Sequence, residues 1–221
     1  MTETPVLAVV FDLDGLLVDS EPLQAWAWYE YVARFGAVMT PDVLGRMLGL
    51  RAVDAVKIPI EMLDLPVDEE TALRERDDIF LAAVPGAIQA HAGAQELIAE
   101  LKRRGIPSAL ATSGHRRYVD LALASAGLTG LFDQEVTAEL VTRGKPHPDV
   151  YLRAAELLGV PADDCLALED APNGVIAAKA AGMRCIAIPG EHGSREGVAA
   201  ADAVLESLAE VTGELQQRGW I

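Results

Sequence analysis

Positive charge is what this chain has least of: 18 Lys and Arg stand against 34 Asp and Glu, for a net charge of −16. No run of Lys and Arg builds the basic patch that a nucleic acid or an anionic membrane needs, so neither is expected as a partner. Cysteine is nearly absent. Cys165 and Cys185 lie in apolar segments, lack zinc spacing and are too few for a disulfide framework. Their plain reading is two buried free thiols in a reducing compartment, and a cytoplasmic location is expected. No segment approaches the roughly 20 apolar residues of a membrane span. The first apolar run has no basic flank and is cut by Asp12, unlike a secretory signal. Internal repeats and low-complexity stretches are missing too. What is there is globular: 51% of the 221 residues are hydrophobic, enough for one large domain or for one domain carrying a smaller insertion.

The run VLAVVF (6–11) reads as a short buried parallel strand. Residues 20–35 predict a helix with Ser20 as its N-cap and Pro22 in the first turn. Residues 41–83 predict helical pieces broken near Gly49, Pro59 and Pro66. From residue 94 the pattern changes to helices and strands in alternation: AQELIAELKRRG, PSALAT, HRRYVDLALASAG, FDQEVT, PDVYLRAAELLG, CLALED, NGVIAAKAAG and MRCIAIP. A strand near 203–205 and a helix over 206–217 complete it. Such alternation implies an α/β fold, a doubly wound parallel sheet. The helical stretch interrupts it after the first strand and is expected to be an inserted α-helical domain, residues 17–88, in a core made of 1–16 and 89–221.

The first strand ends in FDLDG, two carboxylates one residue apart. Residues i and i+2 of a strand share a face, so Asp12 and Asp14 repel each other, and burying them without a partner costs several kcal/mol each, roughly. Ligands of open parallel sheets bind beyond the carboxyl ends of the strands. Four segments fall there: Asp12 and Asp14, Thr112 and Ser113, Lys145, and Glu169-Asp170. Carboxylates, a hydroxyl and an ammonium suit a hard cation such as Mg²⁺ together with a phosphate. Each segment also has a plain structural reading. Asp14 fits a turn, Lys145 a solvated loop, and Glu169-Asp170 the cap of the next helix. Trp26, Trp28 and Tyr29 read as packing within the insertion.

In chain order, FDLDG, ALATS, GKPHPDVY and LALEDAPNGVIAAKAAGM resemble the four motifs of the haloacid dehalogenase superfamily, and the insertion resembles its α-helical cap. DGLLVDSEPL and LGLR look most like its sugar-phosphate phosphatases. The resemblance implies a phosphatase that acts on a small phosphorylated metabolite, a sugar or polyol phosphate, through an aspartyl-phosphate. It makes Asp12 the nucleophile and Asp14 the general acid and then base. Thr112 and Lys145 hold the phosphoryl group. Mg²⁺ is bound by Asp12, the Asp14 carbonyl and Asp170, with Glu169 in the shell through water. Asn173 supports the fourth motif. Arg51, Ser113, His115 and Arg116 face the substrate, and Asp19 either contacts it or is structural at the hinge. A monomer is expected.

Four other readings compete. A β-phosphoglucomutase is similar, but such mutases carry a His on the first cap helix where this chain has Gln24. Dehalogenases and phosphonatases lack the second aspartate of the first motif, present here as Asp14, although Lys57 is a lysine in the cap. A catalytically idle binding protein would have lost a charged motif residue, and none is missing.

Overall fold

The computed structural model describes residues 4–47, 52–190 and 194–221. Arg51, a predicted substrate contact, and Gly49, a predicted helix break, lie outside the described residues. The chain divides into two compact units: residues up to Asp19 together with Gln89–Ile221, and Ser20–Ile88.

In the first unit, six strands form one sheet among the described residues. They are β1 (Ala8–Phe11), β2 (Ser108–Ala111), β3 (Gln134–Val136), β4 (Cys165–Glu169), β5 (Arg184–Ala187) and β6 (Ala203–Val204), in spatial order β3-β2-β1-β4-β5-β6. Every neighbouring pair is parallel. β1, β2 and β4 are buried along their whole length, as the unbroken apolar runs require of strands covered on both faces. Small and β-branched residues take one face: Ala8, Val10, Ala109, Ala111, Cys165, Ala167, Cys185 and Ala187 form one cluster with Tyr151 and Ala154 of the helix Asp149–Leu158 and Ala177 and Ala178 of the helix Pro172–Ala180. The pleat sends Val9, Phe11, Leu110, Leu166 and Leu168 to the other face, where Phe11 meets Phe132 edge-on at 5.7 Å.

Ten α-helices are described. Those of this unit are α6 (Ala94–Arg103), α7 (Arg116–Ala126), α8 (Asp149–Leu158), α9 (Pro172–Ala180) and α10 (Val211–Gln217). Gly127 and Gly159 close α7 and α8 at φ +69° each, the left-handed conformation that ends a helix at little cost to glycine. The predicted helix over 206–217 begins instead as a 3₁₀ turn, Leu208–Glu210, and only then becomes α10.

The second unit is all helical: α1 (Glu21–Ala33), α2 (Pro41–Met47), α3 (Ala52–Ala55), α4 (Lys57–Met62) and α5 (Glu69–Ala83). Its core gathers Trp28, Tyr31, Val32, Met39, Val43 and Leu65. Ser20 stands at the N-cap of α1 but makes no side-chain capping bond, because its own backbone is already near helical at φ −100°, ψ −14°. The break expected near Pro59 falls at Val56, between α3 and α4, and Pro59 itself is helical. It sits in the first turn of α4, where a missing N–H has no helical partner to lose. Of the predicted packing aromatics only Trp28 is buried; Trp26 and Tyr29 are each 41% exposed.

Candidate active site

The site is built from the carboxyl ends of adjacent strands. Ala8, Val10 and Asp12 share one face of β1 and its extension, and Cys165, Ala167 and Glu169 share the same face of β4. Strand periodicity therefore carries Asp12 and Glu169 to the side covered by α8. Beyond Asp12 the chain turns at Gly15, whose φ of +83° suits glycine. A Cβ there would lie 2.1 Å from Oδ2 of Asp170, so glycine also admits that carboxylate to the site.

Lys145 arrives from the loop before α8. Its Nζ donates to Oδ1 of Asp12 at 2.5 Å and to Oε1 of Glu169 at 2.6 Å. The same Oε1 accepts from the Tyr151 hydroxyl at 2.5 Å, and the Tyr151 ring lies 5.0 Å from Nζ. Glu169 Oε2 accepts the backbone N–H groups of Asp170 and Ala171 at 3.1 and 3.4 Å, which pins the turn after β4. Gly174 backs this carboxylate: a Cβ there would fall 1.8 Å from Oε1.

Ligand atoms of Asp12, Glu169 and Asp170 lie within 4.8 Å of one another, the one such carboxylate group among the described residues. Burial pushes the Asp12 carboxyl up, Lys145 pulls it back, and Glu169 and Asp14 push it up again. Asp170 is raised by burial and then by Asp12 and Glu169. Burial would lower the Lys145 ammonium, but Asp12 and Glu169 outweigh it and hold the pKa above the ordinary lysine value. Tyr151 is raised well above its ordinary value, by burial first and then by Glu169, so its hydroxyl stays a donor. Negative charge exceeds positive here, and all donors are oxygen. That chemistry fits a hard divalent cation.

The remaining predicted residues separate into two groups. Asp14 is half-buried in the turn after β1, and the Tyr118 hydroxyl donates to its Oδ1. Thr112 is buried at the end of β2, its Oγ1 accepting the Gly114 N–H at 2.9 Å. Ser113 is exposed on the same loop. His115 and Arg116 are engaged elsewhere. His115 Nδ1 lies 3.1 Å from Glu139 Oε1, and the Arg116 guanidinium binds Glu135 at 2.5 Å and Asp120 at 3.2 Å. Asp19 is exposed, and Asn173 is exposed on the first turn of α9. Glu169 and Asp170 do not cap α9; Ala171 occupies the N-cap, with no side-chain bond. Sequence reasoning missed Tyr151, Tyr118, Gly15 and Gly174. The DVY and APNG within the third and fourth motif segments were signals for Tyr151 and Gly174.

The family model for haloacid dehalogenase-like hydrolases matches residues 6–182. The chain belongs to that family. It is a phosphatase of the family, hydrolysing phosphomonoesters. Over 224 residues it is 37% identical to hexitol phosphatase A of Escherichia coli, covering 95% of both chains. It is 34% identical over 202 residues to the validoxylamine A 7′-phosphate phosphatase of Streptomyces hygroscopicus subsp. limoneus, covering 91% of this chain and 94% of the other. The structure of CbbY from Rhodobacter sphaeroides in complex with phosphate superposes with a TM-score of 0.82 at 31% identity, over 93% of this chain and 96% of that one. No described helix is long and apolar enough to cross a membrane.

Proposed function

We propose that this protein is a Mg²⁺-dependent phosphatase of small sugar or polyol phosphates that works through an aspartyl-phosphate on Asp12. The observation that carries the reading is the contact of Lys145 with both Asp12 and Glu169 in a buried, carboxylate-rich cluster. The phosphate leaving group is assigned to a sugar or polyol because the hexitol phosphatase relative aligns over nearly the whole chain. The helical unit 20–88 is assigned as the substrate-selecting cap domain, in line with the expected division at 17–88.

With Oδ1 of Asp12 held by Lys145, Oδ2 is the oxygen that attacks phosphorus. Lys145 opposes the rise that burial imposes on the Asp12 carboxyl and steadies charge on the transferring phosphoryl oxygens. Asp14 gives a proton to the departing alkoxide and then takes one from the hydrolytic water. Thr112 and the amides of its loop, just before the N-terminus of α7, bind phosphate oxygens. Asp12, the Asp14 carbonyl and Asp170 would hold Mg²⁺. Both oxygens of Glu169 already accept from two donors each, so Glu169 serves as the anchor that places Lys145. When bound, the cation supplies neutralising charge to carboxylates and phosphate brought together.

A sugar phosphomutase on the same scaffold is the second reading. One observation weighs against it: the Gln24 side chain is a neutral amide whose Oε1 already accepts from Arg76.

The test is phosphate release from a panel of sugar, polyol and nucleotide monophosphates with Mg²⁺, run beside glucose 1-phosphate isomerisation. Asp12→Asn is expected to abolish release while keeping the fold, and chelation by EDTA to stop it until Mg²⁺ is returned. Near-normal release from Asp12→Asn would overturn the nucleophile. Isomerisation without release would favour the mutase.

A further inference from the structure

Tyr118 occupies the third position of α7 and is 7% exposed. Two contacts define it. Its hydroxyl donates to Oδ1 of Asp14, across 104 residues of sequence. Its ring edge lies where a side chain at Gly114 would have to go: a Cβ at Gly114 would be 2.9 Å from Cδ1 of Tyr118 and 3.3 Å from Oγ1 of Thr112. One side chain thus joins the turn after β1 to the loop after β2.

Asp14 stands in the turn after β1, next to a glycine at φ +83°, with its backbone bridged to Val18. A phenol facing Oδ1 as donor leaves that oxygen only the role of acceptor. The acidic proton of a neutral Asp14 must then sit on Oδ2.

We propose that Tyr118 is the positioning residue of the general acid, holding Oδ1 of Asp14 so that Oδ2 delivers the proton to the leaving oxygen. This rests on the assignment of Asp14 as general acid. In the step, an Asp12 oxygen forms a bond to phosphorus and the phosphorus–oxygen bond to the leaving group breaks. The proton on Asp14 Oδ2 passes to that oxygen, so the alcohol leaves neutral and Asp14 becomes a carboxylate. An alkoxide needs that proton; a nitrophenolate leaves without it.

The experiment compares kcat/KM for sorbitol phosphate and for nitrophenyl phosphate in wild type, Tyr118→Phe, Asp14→Asn and the double variant. kcat/KM reports only the steps up to formation of the aspartyl-phosphate, so later hydrolysis does not blur it. Phe keeps the ring beside Gly114, and circular dichroism checks each fold. Tyr118→Phe is expected to lower kcat/KM on the alkyl ester about tenfold more than on the aryl ester, the scale of one lost hydrogen bond to a charged or reacting group. In the Asp14→Asn background the same change should add nothing, because coupled residues are not additive. Equal losses on both esters, or additive losses, would make Tyr118 merely structural and overturn the proposal. A leaving-group gap in Asp14→Asn with none in Tyr118→Phe would overturn this inference alone. No gap in Asp14→Asn would remove the general acid, and this inference with it.

Discussion

Among the described residues, each of the two units holds a long cationic side chain largely out of solvent, Lys145 in one and Arg76 in the other, and the two are held in opposite ways. In the sheet unit, Lys145 meets two carboxylates and a tyrosine. In the helical unit, Arg76 lies over the rings of Trp28 and Phe80, at 5.4 and 5.2 Å. Its guanidinium donates to the backbone and side-chain oxygens of Gln24 and to Asp77, while Nε meets no acceptor. Burial lowers the Arg76 pKa, with Asp77 opposing, whereas the carboxylates hold Lys145 above its ordinary value. The lesson is about what a buried cation is for. Surrounded by an excess of carboxylates, it opposes the rise in pKa that burial and their mutual repulsion impose on them. Set among rings, a neutral amide and a single exposed carboxylate, it ties helices together.

The largest effect should come from emptying the first of these sites. Lys145→Met is expected to lower turnover about a hundred- to a thousandfold, as losing one transition-state donor does. It should also destabilise the sheet unit by about 3–5 kcal/mol, because two buried carboxylates lose their partner. Steady-state phosphate release and denaturant unfolding would check both, and a variant retaining wild-type turnover would break the contrast. Gly174→Ala should come next. Its methyl group falls on the Glu169 carboxylate, so Lys145 loses its anchor at a cost of about 1–3 kcal/mol of overpacking. Unchanged unfolding and activity would show that Glu169 can yield. In the helical unit Arg76→Met is expected to cost only about 1 kcal/mol, since its bonds go to the neutral Gln24 and to an exposed carboxylate, Asp77, that water can solvate instead. A loss as large as that of Lys145→Met would erase the distinction between the two units.

The smallest effect is expected at the exposed start of α5. Asp68 accepts the Thr71 N–H at 2.9 Å, and this bond, with that of the Thr71 hydroxyl, holds its pKa below the ordinary 3.8. A depressed carboxylate stabilises above its unfolded pKa, and the gain is lost as pH falls through the folded value. Asp68→Ala should therefore lower the melting temperature slightly at neutral pH, and the difference from wild type should vanish in acid. A difference independent of pH would mean the cap bond is not its cause.

The parallel sheet was legible because its strands are continuous apolar runs punctuated by helices that end at glycine, all local signals. The misreadings were local too. The break expected near Pro59 lies three residues earlier, at Val56, because a first helical turn accepts proline, and Ser20 offers no capping bond because its backbone is near helical. At the site, residue types with rare placement, such as the two aspartates of FDLDG, stood out from the sequence. Tyr118 and Tyr151 did not, because an amphipathic helix shows an inward-facing tyrosine as one more core residue.

By itself the sequence determined the order of helices and strands, the scarcity of cations, and which acidic, hydroxyl and amine side chains stand where strands end. Those are properties of neighbouring residues, and chain periodicity carries them. Only the tertiary structure decided that Lys145 reaches Asp12 across 133 residues and shares Glu169 with Tyr151, while Arg116 is taken by Asp120 and Glu135. Such pairings depend on strand register and on how α7 and α8 pack against the sheet. A hydrogen bond only a few ångströms long rests on those alignments, and no local pattern encodes them.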